Sequence, residues 1–334
     1  MKVAVIGSGT WGTALSQVLD DNGHQVTIYG YKLEQVNDIN INHKNSFYFG
    51  DEIILSKSIK ATNDIASAIK DAEIIVLSVP TASLRSVLNQ ILETLDHKVL
   101  FINTAKGFDL EKKTRISSLI REVIPNDFRY PLVSLIGPSH AEEVIFRDLT
   151  CICAVCKDQD YAMEAAKIFS NNYFRVYPNN DEIGSEIGVA MKNSIAIASG
   201  ILEGLGYGDN ARAALCTRGL AEIVKFGKAY GAHSHTYLGL TGLGDLVVTC
   251  YSFHSRNFTA GLQIGKDDTA FNFLRDNVKT VEGVRTTQII HDMAVDKNID
   301  LPIINALYSV LFEGKKPSQI ATELMNRPLS GKEL

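Results

Sequence analysis

Four charged residues stand out because of their neighbours. Lys192 lies in Ile187-Gly188-Val189-Ala190-Met191-Lys192-Asn193-Ser194-Ile195-Ala196, and it is the only charge between Glu186 and Glu203. Burying an ammonium among such groups costs on the order of several kcal/mol unless it is paired or loses its proton. Burial lowers a lysine's pKa toward neutrality, which suits a general acid/base; the alternative is a lysine reaching solvent along the helix edge. Asp245 is the sole carboxylate in Gly239-Leu240-Thr241-Gly242-Leu243-Gly244-Asp245-Leu246, where glycines let backbone approach closely. It would hold Lys192 or a substrate hydroxyl, or else cap the helix beginning at Leu246. In Ser255-Arg256-Asn257 the guanidinium matches a phosphate bidentately and Ser255 and Asn257 add neutral donors, with a solvated loop arginine as the alternative. Lys106, in Thr104-Ala105-Lys106-Gly107, is the only charge between Lys98 and Asp109. A proton donor, a carboxylate and an anion clamp together describe hydride transfer to the carbonyl of a small phosphorylated or carboxylated molecule, with Lys192 as the donor.

Such a reaction needs a hydride source. Gly7-Ser8-Gly9-Thr10-Trp11-Gly12 follows the apolar run Lys2-Val3-Ala4-Val5-Ile6 and opens a helical pattern at Thr13-Ala14-Leu15. Strand, glycine-rich turn and helix in that order form a dinucleotide fingerprint. Gly7 makes the tight turn, Gly9 admits a pyrophosphate to the backbone, and Gly12 lets helix and strand pack closely. The N–H groups at the helix start favour the phosphates. A second strand, Gln25-Val26-Thr27-Ile28-Tyr29, ends in Gly30-Tyr31-Lys32 with no acid before Glu34. An acid there would bind the ribose hydroxyls of NAD. Lys32 instead suits a 2′-phosphate, with a solvated surface lysine as the alternative, which leans the cofactor weakly toward NADPH with NADH allowed.

The elements that must position these groups can be read from periodicity. Ile74–Val79, Val99–Asn103 and Leu132–Ile136 are continuous apolar strands, and Leu84–Leu95 and Ile116–Val123 read as helices between them. That pattern means a parallel sheet covered on both faces. Ligands bind outside the carboxyl ends of such strands. Three ends carry chemistry: Val79-Pro80-Thr81, Thr104–Gly107, and Gly137-Pro138-Ser139-His140-Ala141. Leu149–Val155, a helix over 161–170 and Phe174–Tyr177 complete this part, while residues 40–58 form a polar excursion. Pro178-Asn179-Asn180-Asp181 marks a boundary, and everything beyond reads as helix, beginning with a long one over Ile183–Leu205. The expected architecture is α/β. Residues 1–180 form a Rossmann-like, doubly wound, mostly parallel sheet that binds NAD(P), and residues 181–334 form an all-α domain for substrate and catalysis.

Bulk properties narrow the function class. The chain has 334 residues, 45% hydrophobic and 21% charged, which requires a packed core. A net charge of −5, a pI near 5.9 and no long basic run argue against nucleic acid. No apolar stretch is long enough to span a bilayer. The first strand starts at residue 2, which leaves no room for a signal peptide, and Gly331-Lys332-Glu333-Leu334 is not a retention signal. A cytoplasmic location follows as the expectation. Cys151, Cys153 and Cys156 cluster, but partner ligands are missing and the first two share a strand face, so no metal is expected.

Gly7–Gly12, Lys106-Gly107, Gly137-Pro138-Ser139, Met191-Lys192-Asn193, Asn210-Ala211-Arg212, Thr217-Arg218-Gly219-Leu220-Ala221-Glu222, Gly242-Leu243-Gly244-Asp245 and Ser255-Arg256-Asn257 occur in one order. In that order and spacing, over nearly the whole chain, the sequence resembles the bacterial NAD(P)-dependent glycerol-3-phosphate dehydrogenases. The resemblance implies reversible reduction of dihydroxyacetone phosphate to sn-glycerol 3-phosphate by NAD(P)H, in a cytoplasmic homodimer that feeds phospholipid synthesis. It implies Lys192 as acid/base, with Lys106 and Asp245 also in the catalytic set. It gives Lys106 contact with both cofactor and substrate, and places Gly137, Ser139, Asp245, Ser255, Arg256 and Asn257 at the substrate. Thr10, Trp11, Tyr31, Ala141, Arg256, Thr280 and Glu282 are implied at the cofactor. The sequence departs from the family at His140, where Phe is common, and at Tyr31-Lys32. Two other readings compete: a different Rossmann-type dehydrogenase of a small anionic hydroxy compound, and an NAD(H)-sensing regulator without turnover.

Overall fold

In β1 (Lys2–Ile6), Val3 and Val5 face one apolar cluster and Ala4 and Ile6 another. A strand with both faces buried must lie inside a sheet clad on both sides. The computed structural model, which describes residues 1–276 and 281–328, shows such a sheet. The chain divides into two units, Met1–Glu182 and Ile183–Leu334.

In the first unit β1 is followed by α1 (Thr10–Asp21), β2 (Gln25–Tyr29), α2 (Leu33–Asn37), α3 (Ser46–Phe49), β3 (Lys60–Thr62) and α4 (Ile65–Ile69). Then come β4 (Ile74–Leu77), α5 (Thr81–Thr94), β5 (Leu100–Asn103), α6 (Ile116–Val123), β6 (Val133–Ile136), α7 (Ala141–Val144), β7 (Thr150–Val155), α8 (Gln159–Phe169) and β8 (Phe174–Asn179). The sheet order is β3-β2-β1-β4-β5-β6-β7-β8, parallel except where β7 meets β6. The expected mostly parallel, doubly wound sheet is therefore present. α1 stops at Asn22-Gly23, where Gly23 takes a φ of +80° and its N–H reaches the Asp20 carbonyl at 2.8 Å.

Registers align the strand ends. Tyr29 pairs with Ile6, Ile6 with Leu77, Leu77 with Asn103, and Asn103 with Ser134. This single row crosses five strands, so the loops that follow them leave from one rim. The direction of strand addition reverses between β1 and β4, which is where such sheets bind ligands. The excursion at 40–58 holds more order than its polarity indicated: a π-helical turn over Asp38–Asn42, then α3. β4 ends at Leu77 rather than Val79, because Pro80 lacks an N–H and caps α5.

The second unit is helical: α9 (Glu182–Gly204, its first residue in the first unit), α10 (Asp209–Ala229), α11 (Asp245–Tyr251), α12 (Arg256–Asp267), α13 (Phe271–Asp276), α14 (Glu282–Asp296), α15 (Pro302–Phe312) and α16 (Pro317–Met325). α9 and α12 meet backbone to backbone. A Cβ on Gly200 would lie 2.0 Å from the Phe258 carbonyl oxygen, and one on Gly261 2.0 Å from that of Ile197. Gly204 and Gly265 repeat the arrangement one turn on. Among the described residues no helix is long and apolar enough to cross a membrane.

Candidate active site

In the first unit the glycine loop leaves β1 beside the end of β4. A Cβ on Gly7 would come 2.3 Å from the Ser78 carbonyl oxygen, at a φ of +122° that L-residues rarely adopt. A Cβ on Gly12 would sit 2.0 Å from the Gly7 carbonyl oxygen. Gly9, the N-cap of α1, faces open space instead: nothing lies within 4 Å of its would-be Cβ. Thr10 and Trp11 form the first turn of α1, whose leading N–H groups have no intrahelical acceptor. Trp11 is half-buried, its ring tilted on Phe174 at 6.4 Å. Its Nε1 and the buried Nε2 of Gln35 have no hydrogen-bond partner among the described residues. Open space over Gly9, helix N–H groups and orphaned donors beside them fit a bound dinucleotide. Past β2, Tyr31 is exposed and the Lys32 ammonium lies over the Phe47 ring, 4.6 Å from its centroid.

The same rim carries Lys106 and the Gly137 turn. Asn103 shapes both: its Nδ2 donates to Ser134 Oγ at 3.2 Å and its Oδ1 accepts the Ala105 N–H at 3.0 Å. Thr104 Oγ1 donates to the Leu77 carbonyl at 2.8 Å. Lys106, half-buried, leaves this braced loop. Gly137 has a φ of +155° and lies against Ile152; Ser139 Oγ donates back to its carbonyl at 3.0 Å. His140 occupies the N-cap of α7 and Ala141 its first position. The structure thus brings Gly7, Gly9, Thr10, Trp11, Gly12, Lys106, Gly137, Ser139 and Ala141 to the carboxyl rim of one sheet.

In the second unit Lys192 is buried on α9 at 5% exposure and Asp245 on α11 at 1%. Lys192 Nζ donates to Asp245 Oδ1 at 2.6 Å and to Thr249 Oγ1 at 2.7 Å. Thr249 Oγ1 in turn donates to the Asp245 carbonyl at 2.6 Å. Asp245 is the first residue of α11 and Gly244 its N-cap, so the carboxylate pairs with lysine rather than capping the helix. The lysine burden expected from sequence is met by pairing: Lys192 Nζ lies opposite the Asp245 carboxylate. Asp245 Oδ2 is buried with no partner among the described residues.

Ser255 N-caps α12, its Oγ accepting the Phe258 N–H at 3.2 Å, and Arg256, exposed, is the first helical residue. Asn257 Oδ1 accepts the Gly283 N–H at 2.9 Å, which ties the start of α12 to the start of α14 and to Glu282. A Cβ on Gly283 would lie 2.7 Å from the Asn193 carbonyl oxygen. Lys192-Asn193, Asn257 and Gly283 are therefore linked within this unit. Thr280 lies outside the described residues. Arg212 pairs with Glu203 at 2.8 Å and stacks on Tyr251 at 5.1 Å, a structural role. Among the described residues no group of three or more His, Cys, Asp or Glu side chains could hold a metal ion. Burial pushes the Cys153 thiol up to about 11, as for an inert core thiol.

Sequence reasoning passed over Thr249. Thr249 sits in Leu246-Val247-Val248-Thr249-Cys250, which reads as a plain apolar helix. Its position one turn after Asp245 was the available signal.

Family models for the N-terminal and C-terminal parts of NAD-dependent glycerol-3-phosphate dehydrogenase match residues 2–162 and 181–322. The chain is 46% identical over 325 residues to the glycerol-3-phosphate dehydrogenase (NAD(P)+) of Streptococcus sanguinis, covering 97% of this chain and 95% of that one. It superposes on the crystal structure of glycerol-3-phosphate dehydrogenase from Coxiella burnetii with a TM-score of 0.90 at 30% identity, over 98% and 99% of the two chains. The Plasmodium falciparum glycerol-3-phosphate dehydrogenase gives 0.88 at 25% identity, over 99% and 96%. With matches covering both units, this chain belongs to the NAD(P)-dependent glycerol-3-phosphate dehydrogenases, a family of oxidoreductases.

Proposed function

We propose that the protein interconverts dihydroxyacetone phosphate and sn-glycerol 3-phosphate, with Lys192 moving the proton at the reacting oxygen. The buried Lys192–Asp245–Thr249 group carries this reading. The bound nicotinamide supplies or accepts the hydride. Lys192 donates a proton to the carbonyl oxygen as negative charge develops there, and takes it back in the reverse direction. Asp245 and Thr249 each hold one Nζ–H, which fixes the direction of the amine. When Lys192 gives up its proton the Asp245 carboxylate loses its counter-charge, which favours rapid reprotonation and resets the site.

Lys106, Arg256, Asn257, Ser255, Ser139 and Gly137 are proposed to bind the substrate. Arg256 at a helix N-terminus and Lys106 on a braced loop supply the charge a phosphate needs. The cofactor set is Gly7, Gly9, Thr10, Trp11, Gly12, Tyr31, Lys106, Ala141, Arg256, Thr280 and Glu282. Residues 1–180 carry most of the cofactor set together with Lys106, Gly137 and Ser139, and residues 181–334 carry Lys192, Asp245 and the rest of the substrate set. Lys32, held over Phe47 just past β2 with the exposed Glu34 as the first acid, supports a preference for NADPH. The family resemblance supports a cytoplasmic homodimer that provides glycerol phosphate for phospholipid synthesis.

The test is an initial-rate assay of dihydroxyacetone phosphate reduction, with NADPH and NADH in parallel, on wild type and Lys192→Ala. A positioned acid contributes about a hundredfold or more, so the variant should lose at least that while its circular dichroism is unchanged. Activity within about tenfold of wild type would remove Lys192 from the acid/base role.

A further inference from the structure

Asn45 belongs to the excursion after β2, has no place in an apolar core, and yet is only 1% exposed. Its Nδ2 donates to the Ser8 carbonyl at 2.9 Å and to Thr13 Oγ1 at 2.9 Å. These two acceptors flank Gly9, the one loop glycine that faces open space. The Ser8 carbonyl and the Gly9 N–H belong to one peptide unit, and among the described residues no peptide bond is cis. In a trans unit the C=O and N–H point in opposite directions. Holding the Ser8 oxygen toward Asn45 therefore turns the Gly9 N–H the other way, away from the excursion. Ser8 is held a second time, its Oγ donating to Gln35 Oε1 at 2.9 Å.

The excursion is built to present this carboxamide. Asp38 Oδ2 accepts the Ser46 N–H at 2.8 Å, and His43 adopts a left-handed φ of 55° that ends the π-helical turn. The Asn45 carbonyl accepts from Tyr48 and Phe49 at 3.0 and 3.1 Å, so its backbone is fixed while its side chain reaches back. Asn45 Oδ1 is buried without a partner among the described residues, a cost tolerated for the donor at the other end of the amide.

We propose that Asn45 is a positioning residue of the cofactor site: by clamping Ser8 and Thr13 it presents the Gly9 N–H to the pyrophosphate of NAD(P)H. The proposal rests on the cofactor-site reading above. A mis-aimed donor to a phosphate loses one charge-assisted hydrogen bond, roughly a ten- to hundredfold loss in cofactor affinity.

The test compares three variants of the full chain: Asn45→Ala, the isosteric Asn45→Asp, which loses the donor while filling the same space, and Asn40→Ala. Asn40 braces the same excursion through Ala61 at 2.8 and 2.9 Å without touching the loop. NADPH and NADH affinities are read by energy transfer from Trp11, the chain's only tryptophan, and steady-state rates are taken with dihydroxyacetone phosphate. Both Asn45 variants should raise the cofactor Kd and KM roughly ten- to hundredfold, and leave kcat at saturating cofactor and the KM for dihydroxyacetone phosphate within about threefold. Asn40→Ala should lower the melting temperature and leave cofactor affinity at the wild-type value. Cofactor affinity within about twofold of wild type in both Asn45 variants overturns the proposal, as does an equal loss in Asn40→Ala, which would mark general loosening. Wild type that binds NADPH without turning over dihydroxyacetone phosphate would refute the proposed reaction but leave the affinity comparison intact as the test of Asn45.

Discussion

The Lys192–Asp245 pair can be tested as a buried ion pair independently of turnover. Both side chains are almost inaccessible, and the 2.6 Å contact has no solvent to screen it. Lys192→Met keeps the stem and leaves the Asp245 carboxylate buried, with its Oδ2 already lacking a partner among the described residues. Asp245→Leu leaves the ammonium buried opposite an apolar group, with Thr249 Oγ1 as a neutral acceptor. Removing one member of a buried pair costs roughly 3–5 kcal/mol, whereas replacing both with apolar groups of similar volume is close to neutral. The double variant should therefore cost less than the sum of the singles by on the order of 3 kcal/mol or more. The assay is urea unfolding followed by far-ultraviolet circular dichroism, to which the helices of the second unit contribute heavily, with Trp11 fluorescence as a separate monitor of the first. Additivity to within about 0.5 kcal/mol would show that the two charges do not interact as a desolvated pair, and the reasoning would fail.

Two further outcomes follow from other features. Glu222 on α10 is buried, with its carboxylate accepting the Ile303 and Ile304 N–H groups at 2.6 and 3.2 Å at the start of α15. Burial pushes its pKa from 4.5 up to about 7 against those two hydrogen bonds. A raised carboxyl pKa means the folded state holds the proton more tightly, so this contribution is complete below about pH 4.5 and is lost as pH rises through about 7. The rise is worth roughly 3 kcal/mol, most of it lost between about pH 5 and 8.5. Glu222→Gln should flatten that slope in unfolding curves; an unchanged slope would place the titration elsewhere. Gly261→Ala should destabilise the second unit by roughly 1–3 kcal/mol or more, because its methyl would meet the Ile197 carbonyl oxygen at 2.0 Å. A melting temperature equal to wild type would show that α9 and α12 can part without cost.

Legibility in the sequence followed the range of the interaction. β1, the glycine loop and α1 were readable because strand period, turn glycines and helix start are contiguous. Lys192 was readable because a lone charge in an apolar helix demands a partner, and Asp245 answers it from a separate segment. β3 was not, since Lys60-Ala61-Thr62 is an edge strand of three residues with no apolar alternation. Asn45 and Glu222 were not, because their acceptor or donors lie 37 and 81 residues away and nothing nearby marks either as buried. The antiparallel turn of β7 escaped because a run of buried residues carries no record of its direction. Glycines 200, 204, 261 and 265 count against a helix by propensity, and they were chosen by the neighbouring backbone instead.

That glycine seam also governs how this protein can vary. Lys192 stands two turns before Gly200 on α9, and Arg256 and Asn257 stand at the head of α12, so the spacing of the two groups is set across backbone rather than across side chains. A spacing maintained by leucines and valines drifts by a methylene at a time as neighbours compensate. One maintained by glycine has no smaller residue below it and only a full methyl step above it. Sequence drift should therefore pass freely over the outer faces of both helices and halt at these four positions, and any redesign of the proposed substrate site would have to proceed through its side chains rather than by moving the helices apart.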